Sequence, residues 1–325
     1  MNGKETTVVN LLLASCGLVP GCASGEVKQV PVAEMNLRLD GAKAAFGDSQ
    51  WEKAAELAEK IIECPAHPDV TPEALFLAGR ARLHHEQRRK AFEHYRTLLH
   101  DYPLSARVPE IEREIFEIGQ WYLNREPSFL FGHLFTGRSR GVEVLREFQA
   151  AYPQSERADD ALILMGDFRF GEKEYDLAAL HYGDLAKNYS KSEWADLSSY
   201  RLARSYRLSS RGVGYARTPL VKAAEAYRKY LQRPDFEQFQ APAREDLAEV
   251  EEWLAQHELR IANFYLLRGN DRGARSHYAN AVLAYPGTAS SKEAEKQLQQ
   301  HGWDASVHSL DQLIDEGILP RGRQP

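Results

Sequence analysis

The sequence predicts an all-α fold, a superhelical solenoid of about six stacked helix pairs, and three observations carry that expectation. First, a small residue, an aromatic and a chain break recur at one spacing. Ala91, Tyr95 and Pro103 return as Ala274, Tyr278 and Pro286, and again as Ala178, Tyr182 and Ser190; Ala223 and Tyr227, followed by Pro234, keep the first half of the pattern. Second, the break has its own signature, "YPLSA" at Tyr102, "YPQSE" at Tyr152, "YSKSE" at Tyr189 and "YPGTA" at Tyr285. Third, glycine and proline fall mostly between the apolar-periodic runs and alternating β-branched runs are missing, so no strand is expected. Helix pairs are read at 35–64, 71–101, 106–152, 155–189, 192–233 and 243–285, with a closing helix at 289–300.

The spacing has a mechanical meaning. A small residue in the middle of one helix and another at the start of the next let two antiparallel helices cross closely, and the aromatic four residues on fills the space beside them. Gly79 precedes Ala91 by twelve residues and Gly166 precedes Ala178 by the same distance, while Ala262 holds that place before Ala274. Proline stops the helix, and the Ser or Thr two residues later is placed to cap the next one. The aromatics Tyr95, Tyr182, Tyr227 and Tyr278 are therefore read as core.

Bulk composition suits a chain with a substantial core: 325 residues, 43% apolar and 27% charged. A net charge of -6 gives no global basic field, which argues against a nucleic-acid partner. Three cysteines, at 16, 22 and 64, are too few for a disulfide framework. Cys64 ends an apolar helical face and is expected to be a buried, inert thiol.

The N-terminus reads "MNGKETTVVNLLLASCGLVPGCAS", with Lys4 followed by a short apolar run from Val8 to Ala14. That run is too short to span a bilayer as a helix. It resembles a bacterial lipoprotein signal peptide, residues 1–15, with Leu13-Ala14-Ser15-Cys16 as the lipobox and Cys16 as the lipid-bearing residue. Val19-Pro20-Gly21-Cys22 is the alternative, less apt because of its proline. An ordinary export signal or an unstructured start is the plainer reading. Residues 16–33 would then form a tether reaching at most ~60 Å, followed by the repeat region 34–301 and a tail at 302–325.

Little in the chain points to catalysis. His84-His85-Glu86 looks like a metal fragment, yet no further histidine follows at metalloprotease spacing, and "HHEQRRK" falls where a solvated helix-helix turn belongs. "GRSRGVEV" at Gly137 has glycines but no preceding strand. No cofactor and no metal are expected, and the chain is read as a non-enzyme.

Two segments depart from a plain array. The connection inside the third pair swells to "NREPSFLFGHLFTGRSR", at 124–140, whose Phe129, Phe131 and Phe135 either fold back over the solenoid or form a partner-contact loop. The second is a long run from Ala243 to Gly269, enough for a helix of ~40 Å, with Leu247, Val250, Leu254, Ile261 and Tyr265 on one stripe. Its first half either docks a partner or caps the preceding pair.

A unit of ~34 residues with small residues early and midway, an aromatic after them and a closing proline resembles the tetratricopeptide repeat. Setting Gly79 and Gly166 at the packed small position of that repeat, the resemblance places Phe76, Arg80 and Leu83, and Ile163, Asp167 and Phe170, on the groove that binds peptides in similar repeats.

A closer resemblance is carried by "HELRIANFYLLRGNDRGARSHYANAVLAYPGTASSKEA". Tyr265, Arg268 and Gly269, then Ala274, Tyr278, Tyr285, Pro286, Thr288, Glu293 and Ala294, match the last repeat of the BamD-like lipoproteins that assemble outer-membrane proteins. The resemblance implies a non-catalytic periplasmic scaffold of the β-barrel assembly (BAM) machinery, lipid-anchored on the periplasmic face of the outer membrane. Its implied partners are the BAM-complex barrel subunit and unfolded outer-membrane proteins. The alternative is another periplasmic tetratricopeptide-repeat lipoprotein, serving envelope or cell-division machinery.

Overall fold

The computed structural model describes residues 30–64, 66–125, 128–130, 133–135, 138–210, 212 and 217–304. Cys16 and Cys22 lie outside them, as do Phe131 and the tail from 305 onward. Contacts divide the chain into two compact units, one ending at His85 and the other starting at Glu86.

The first unit holds α1 (Val32–Gly47), α2 (Trp51–Ile62) and α3 (Thr71–His84). Its core is Met35, Leu39, Ala42, Ala58, Ile61, Val70, Ala74, Leu77 and Ala78. One charge is buried with them. Arg82 is 2% exposed, and its guanidinium donates to Glu59 at 2.7 and 2.5 Å and to Glu52 at 2.8 Å. The Glu59 hydrogen bond, against the penalty of burial, raises its pKa, so the charge is fixed. Cys64 is half-buried rather than buried: it sits beyond the end of α2, where its thiol donates to the Lys60 carbonyl at 3.3 Å.

The second unit holds α4 (Arg88–Asp101), a 3-10 turn at Pro109–Ile111, α5 (Glu112–Leu123), α6 (Arg138–Ala151), α7 (Ala158–Gly171), α8 (Tyr175–Asn188), α9 (Ala195–Ser209), α10 (Thr218–Leu231), α11 (Gln240–Leu267), α12 (Asp271–Ala284) and α13 (Ala289–Gln300). From α5 onward each helix packs on its neighbours in sequence, and α5 also touches α7, α9 touches α11, and α11 touches α13. The fold class is the expected all-α fold of tetratricopeptide-repeat type.

One expectation fails locally. Inside the 124–140 insertion, β1 (Ser128–Leu130) and β2 (His133–Phe135) pair antiparallel with Phe129 opposite Leu134. "FLFGHLF" is apolar at nearly every position and lacks the polar alternation that announces a strand, but two short apolar runs joined by two residues including glycine can close a hairpin.

The small-residue rule is visible atom by atom. A Cβ on Gly166 would stand 2.6 Å from the Tyr182 ring, and one on Gly141 would stand 2.8 Å from the Gly119 carbonyl oxygen, so α7 meets α8 and α5 meets α6 at distances only glycine permits. Ala91, Ala178, Ala223 and Ala274 are fully buried, as are Tyr95, Tyr182, Tyr227 and Tyr278.

The punctuation works differently from the expected cap. Ser105, Ser155 and Ser192 do not cap helices; their hydroxyls accept from the amide two residues on, at 3.2, 3.0 and 3.0 Å, closing a tight turn before the helix starts. Only Thr288 behaves as expected, capping α13 through Ser291 N at 3.1 Å. The tyrosines tie successive turns together: Tyr152 donates to the Val108 carbonyl at 2.5 Å and Tyr189 to the Pro153 carbonyl at 2.7 Å.

Candidate functional site

The faces of α7, α9 and α11 in the second unit carry polar groups that pair with arginines and with tyrosine hydroxyls. The buried Tyr182 donates to Asp167 at 2.7 Å, and Asp167 also pairs with Arg201 of α9. One repeat on, Tyr227 and Tyr200 donate to Asp246 of α11 at 2.9 and 3.1 Å, and Arg207 of α9 bridges Asp246, at 3.3 Å, and Glu249. Tyr278 completes the series by donating to Asn263 at 2.6 Å. Each aromatic that fills a helix crossing therefore also aims its polar tip at a first-helix acceptor, which buries the ring without stranding the hydroxyl.

Burial raises the pKa of Tyr182, and the neighbouring Asp167 charge adds to it; Tyr227 and Tyr200 are raised by burial and by Asp246. For Arg201, burial works the other way and is outweighed by the hydrogen bond and charge of Asp167, so its pKa rises. These groups keep one protonation state across the physiological range. None is poised for proton transfer near neutrality.

The predicted groove residues separate on this scaffold. In the first unit Phe76 is buried and lies under the Arg80 guanidinium, 5.3 Å from its ring centroid, while Leu83 is half-buried. In the second unit Ile163 is buried, Asp167 is exposed and Phe170 is half-buried between Tyr175, Tyr182 and Arg204. The structure thus leaves Arg80, Leu83, Asp167 and Phe170 reachable, and puts Phe76 and Ile163 in the packing. Sequence reasoning missed Arg201, Arg207 and Asp246. The signal was available as charge: Arg201 stands thirty-four residues after Asp167, one repeat on with the opposite sign.

Elsewhere, His84 stacks on Trp51 at 4.4 Å and His85 pairs with Glu52 at 3.0 Å, so each has a packing partner. Among the described residues no group of three or more histidines, cysteines and carboxylates is arranged to hold a metal ion. No described helix is long and apolar enough to cross a membrane. Phe129 and Phe135 fall in the two ribbon strands. The long helix α11 covers the preceding pair with its first half, where Ala243, Val250, Leu254 and Ala255 join Tyr227 and Tyr230, and turns its second half to α12 through Ala262, Tyr278 and Ala281.

Small-residue crossings filled by tyrosine, repeated with one turn geometry, define a tetratricopeptide-repeat protein, and the family model of that repeat matches residues 73–105. The chain belongs to the outer membrane lipoprotein family YfiO, whose model matches residues 138–303. No curated protein matches the chain. Among solved structures, the type IV pilus biogenesis factor PilW is 14% identical over 81% of this chain and 98% of its own, with a TM-score of 0.27. The C-terminal part of a repeat-containing protein from Cytophaga hutchinsonii is 12% identical over 80% of this chain and 87% of its own, with a TM-score of 0.30.

Proposed function

We propose that the chain is a lipid-anchored periplasmic scaffold of the outer-membrane β-barrel assembly machinery, which holds the barrel subunit and receives unfolded outer-membrane proteins. The observation that carries this reading is the family match over 138–303, which includes every motif residue of the C-terminal repeat. Gly269 takes a positive φ of 69° at the turn into α12, Ala274, Tyr278 and Ala294 are fully buried, and Thr288 caps the closing helix. The motif is therefore used as a packed repeat, and the surface outside it is left for partners.

In this reading Cys16, or Cys22 in its place, bears the lipid, the residues after it form the tether, and the C-terminal repeats contact the barrel. Client segments lie along Arg80 and Leu83 and along Asp167 and Phe170, with Phe76 and Ile163 supporting those positions from beneath. The insertion, through Phe129, Phe131 and Phe135, is a second partner contact. The chain carries out no reaction and needs no cofactor.

Depleting the protein in its own cells tests the role. Folded β-barrels in the outer membrane, scored as heat-modifiable bands, are expected to fall while inner-membrane proteins stay level; unchanged barrels on full depletion would reject it. Mass spectrometry of the mature N-terminal peptide separates Cys16 from Cys22, and an unacylated terminus would remove the anchor.

A further inference from the structure

Among the described residues of the second unit, a cluster of positive charge at the start of α4 and the end of α5 is not used by the scaffold reading. A surface cavity of about 290 Å³ opens between the start of α4 and the end of α5. Its floor is Trp121 and Tyr122, and its wall is Arg88, Lys90 and Arg125, with Glu86 the one carboxylate at its edge. The Arg88 guanidinium lies 4.4 Å from the Trp121 ring centroid and that of Arg125 lies 5.0 Å from it; Arg140 stands 5.9 Å from the Tyr122 ring.

Two features mark this as more than a solvated face. Arg88, Arg89 and Lys90 form the first turn of α4, which contains no acidic residue and has no side-chain cap. Cations at the positive end of a helix dipole are unfavourable, so the local sequence opposes its own helix there and an anion would relieve it. Among the described residues only Arg89 of these cations has a carboxylate partner, Glu93 at 3.7 Å.

We propose that this cavity binds an acidic side chain of a partner polypeptide, seated on Trp121 and held by Arg88, Lys90 and Arg125. A guanidinium stacked flat on an indole keeps its N–H edge outward, and that edge matches the planar, two-oxygen face of a carboxylate. The volume suits one or two side chains. An anionic membrane surface would instead require a broad basic face. Elsewhere on α4 and α5 the charges are paired, Arg113 with Glu117 at 2.6 Å and Arg96 with Glu143 at 3.4 Å, and the whole chain is at -6. The site is distinct from the groove positions and stands whether or not the barrel-assembly role does.

The test uses the purified full chain and a dye-labelled pentapeptide of four glutamates around a central phenylalanine, followed by fluorescence anisotropy at low salt. Binding is expected, weakened about tenfold or more in Arg88→Glu with Arg125→Glu and several-fold in Trp121→Ala. Arg88→Lys with Arg125→Lys keeps the charge but loses the stacked fork, and an intermediate loss is expected. Helicity by circular dichroism confirms that each variant folds. No binding of the peptide, or equal binding by the glutamate variant, overturns the proposal. So does binding to phosphatidylglycerol vesicles that depends on Arg88 and Arg125 while the peptide fails to bind.

Discussion

A Cβ added at Gly166 would meet the Tyr182 ring at 2.6 Å, while one added at Gly171, in the same helix, would meet nothing within 4 Å. Gly166→Ala is therefore expected to cost about 1–3 kcal/mol, and Gly171→Ala to be neutral or stabilising by up to about 1 kcal/mol, as read from urea unfolding midpoints. The tyrosine hydroxyls add a pH signature. Burial and Asp167 raise the Tyr182 pKa in the folded chain, and burial and Asp246 raise that of Tyr227. Their contribution is present below the ordinary phenol pKa of about 10 and is lost as pH rises from there toward the folded values. Thermal midpoints should fall with rising pH above about 10, and Tyr182→Phe with Tyr227→Phe should flatten that fall; an unchanged alkaline limb would disprove it. Spacing alone revealed the rings and the small residues opposite them. It did not reveal the acceptors, because each hydroxyl reaches either fifteen residues back, as Tyr182 and Tyr278 do, or nineteen ahead, as Tyr95 does to Glu114 and Tyr227 to Asp246. The two offsets together make one repeat of ~34 residues, so the choice is set by which neighbouring repeat supplies the acceptor.

At the scale of elements, four helix-helix turns share one backbone. Ser49, Glu86, Lys173 and Gly269 have φ of 57, 58, 62 and 69°. The residue after each sits at φ between -83 and -94° with ψ between 57 and 76°. Three of the four put a side chain in the left-handed region, which costs roughly 1 kcal/mol each. Lys173→Gly is expected to gain about 0.5 kcal/mol after the added flexibility of glycine is subtracted, seen as a higher thermal midpoint. Helix α11 has its own sensitivity. Glu258, 3% exposed at mid-helix, is ion-paired with Arg217 at 3.2 Å and hydrogen-bonded to His277 Nδ1 at 2.7 Å. Burial would raise its pKa, but the His277 hydrogen bond and the Arg217 charge outweigh it and hold it below the ordinary value. That stability is present above about pH 4.3 and is lost as pH falls through the lowered folded value. Glu258→Gln should weaken the fold by about 3 kcal/mol at neutral pH and blunt its acid unfolding; a variant with the parent's acid limb would rule this out. Helix boundaries were legible because proline, glycine and apolar period agree there. The ribbon at 128–135 was not, since its apolar residues carry no alternation, and the long α11 was legible as a helix while its duty to two neighbours on opposite halves was not.

For the whole molecule, the repeat chemistry is what the proposed scaffold role rests on. Small-residue crossings bury the tyrosine rings between helices, and first-helix charges such as Asp167 and Asp246 are paired with arginines and with tyrosine hydroxyls. Family membership places it among outer membrane lipoproteins, and the proposed barrel-assembly role adds the partner. The most direct test is affinity purification of the intact, membrane-borne chain from detergent-solubilised outer membranes, with identification and quantification of what comes with it. Our account expects a large β-barrel protein recovered in near-equal amount and retained in high detergent; recovery without any β-barrel, or only with cell-wall machinery, would contradict it.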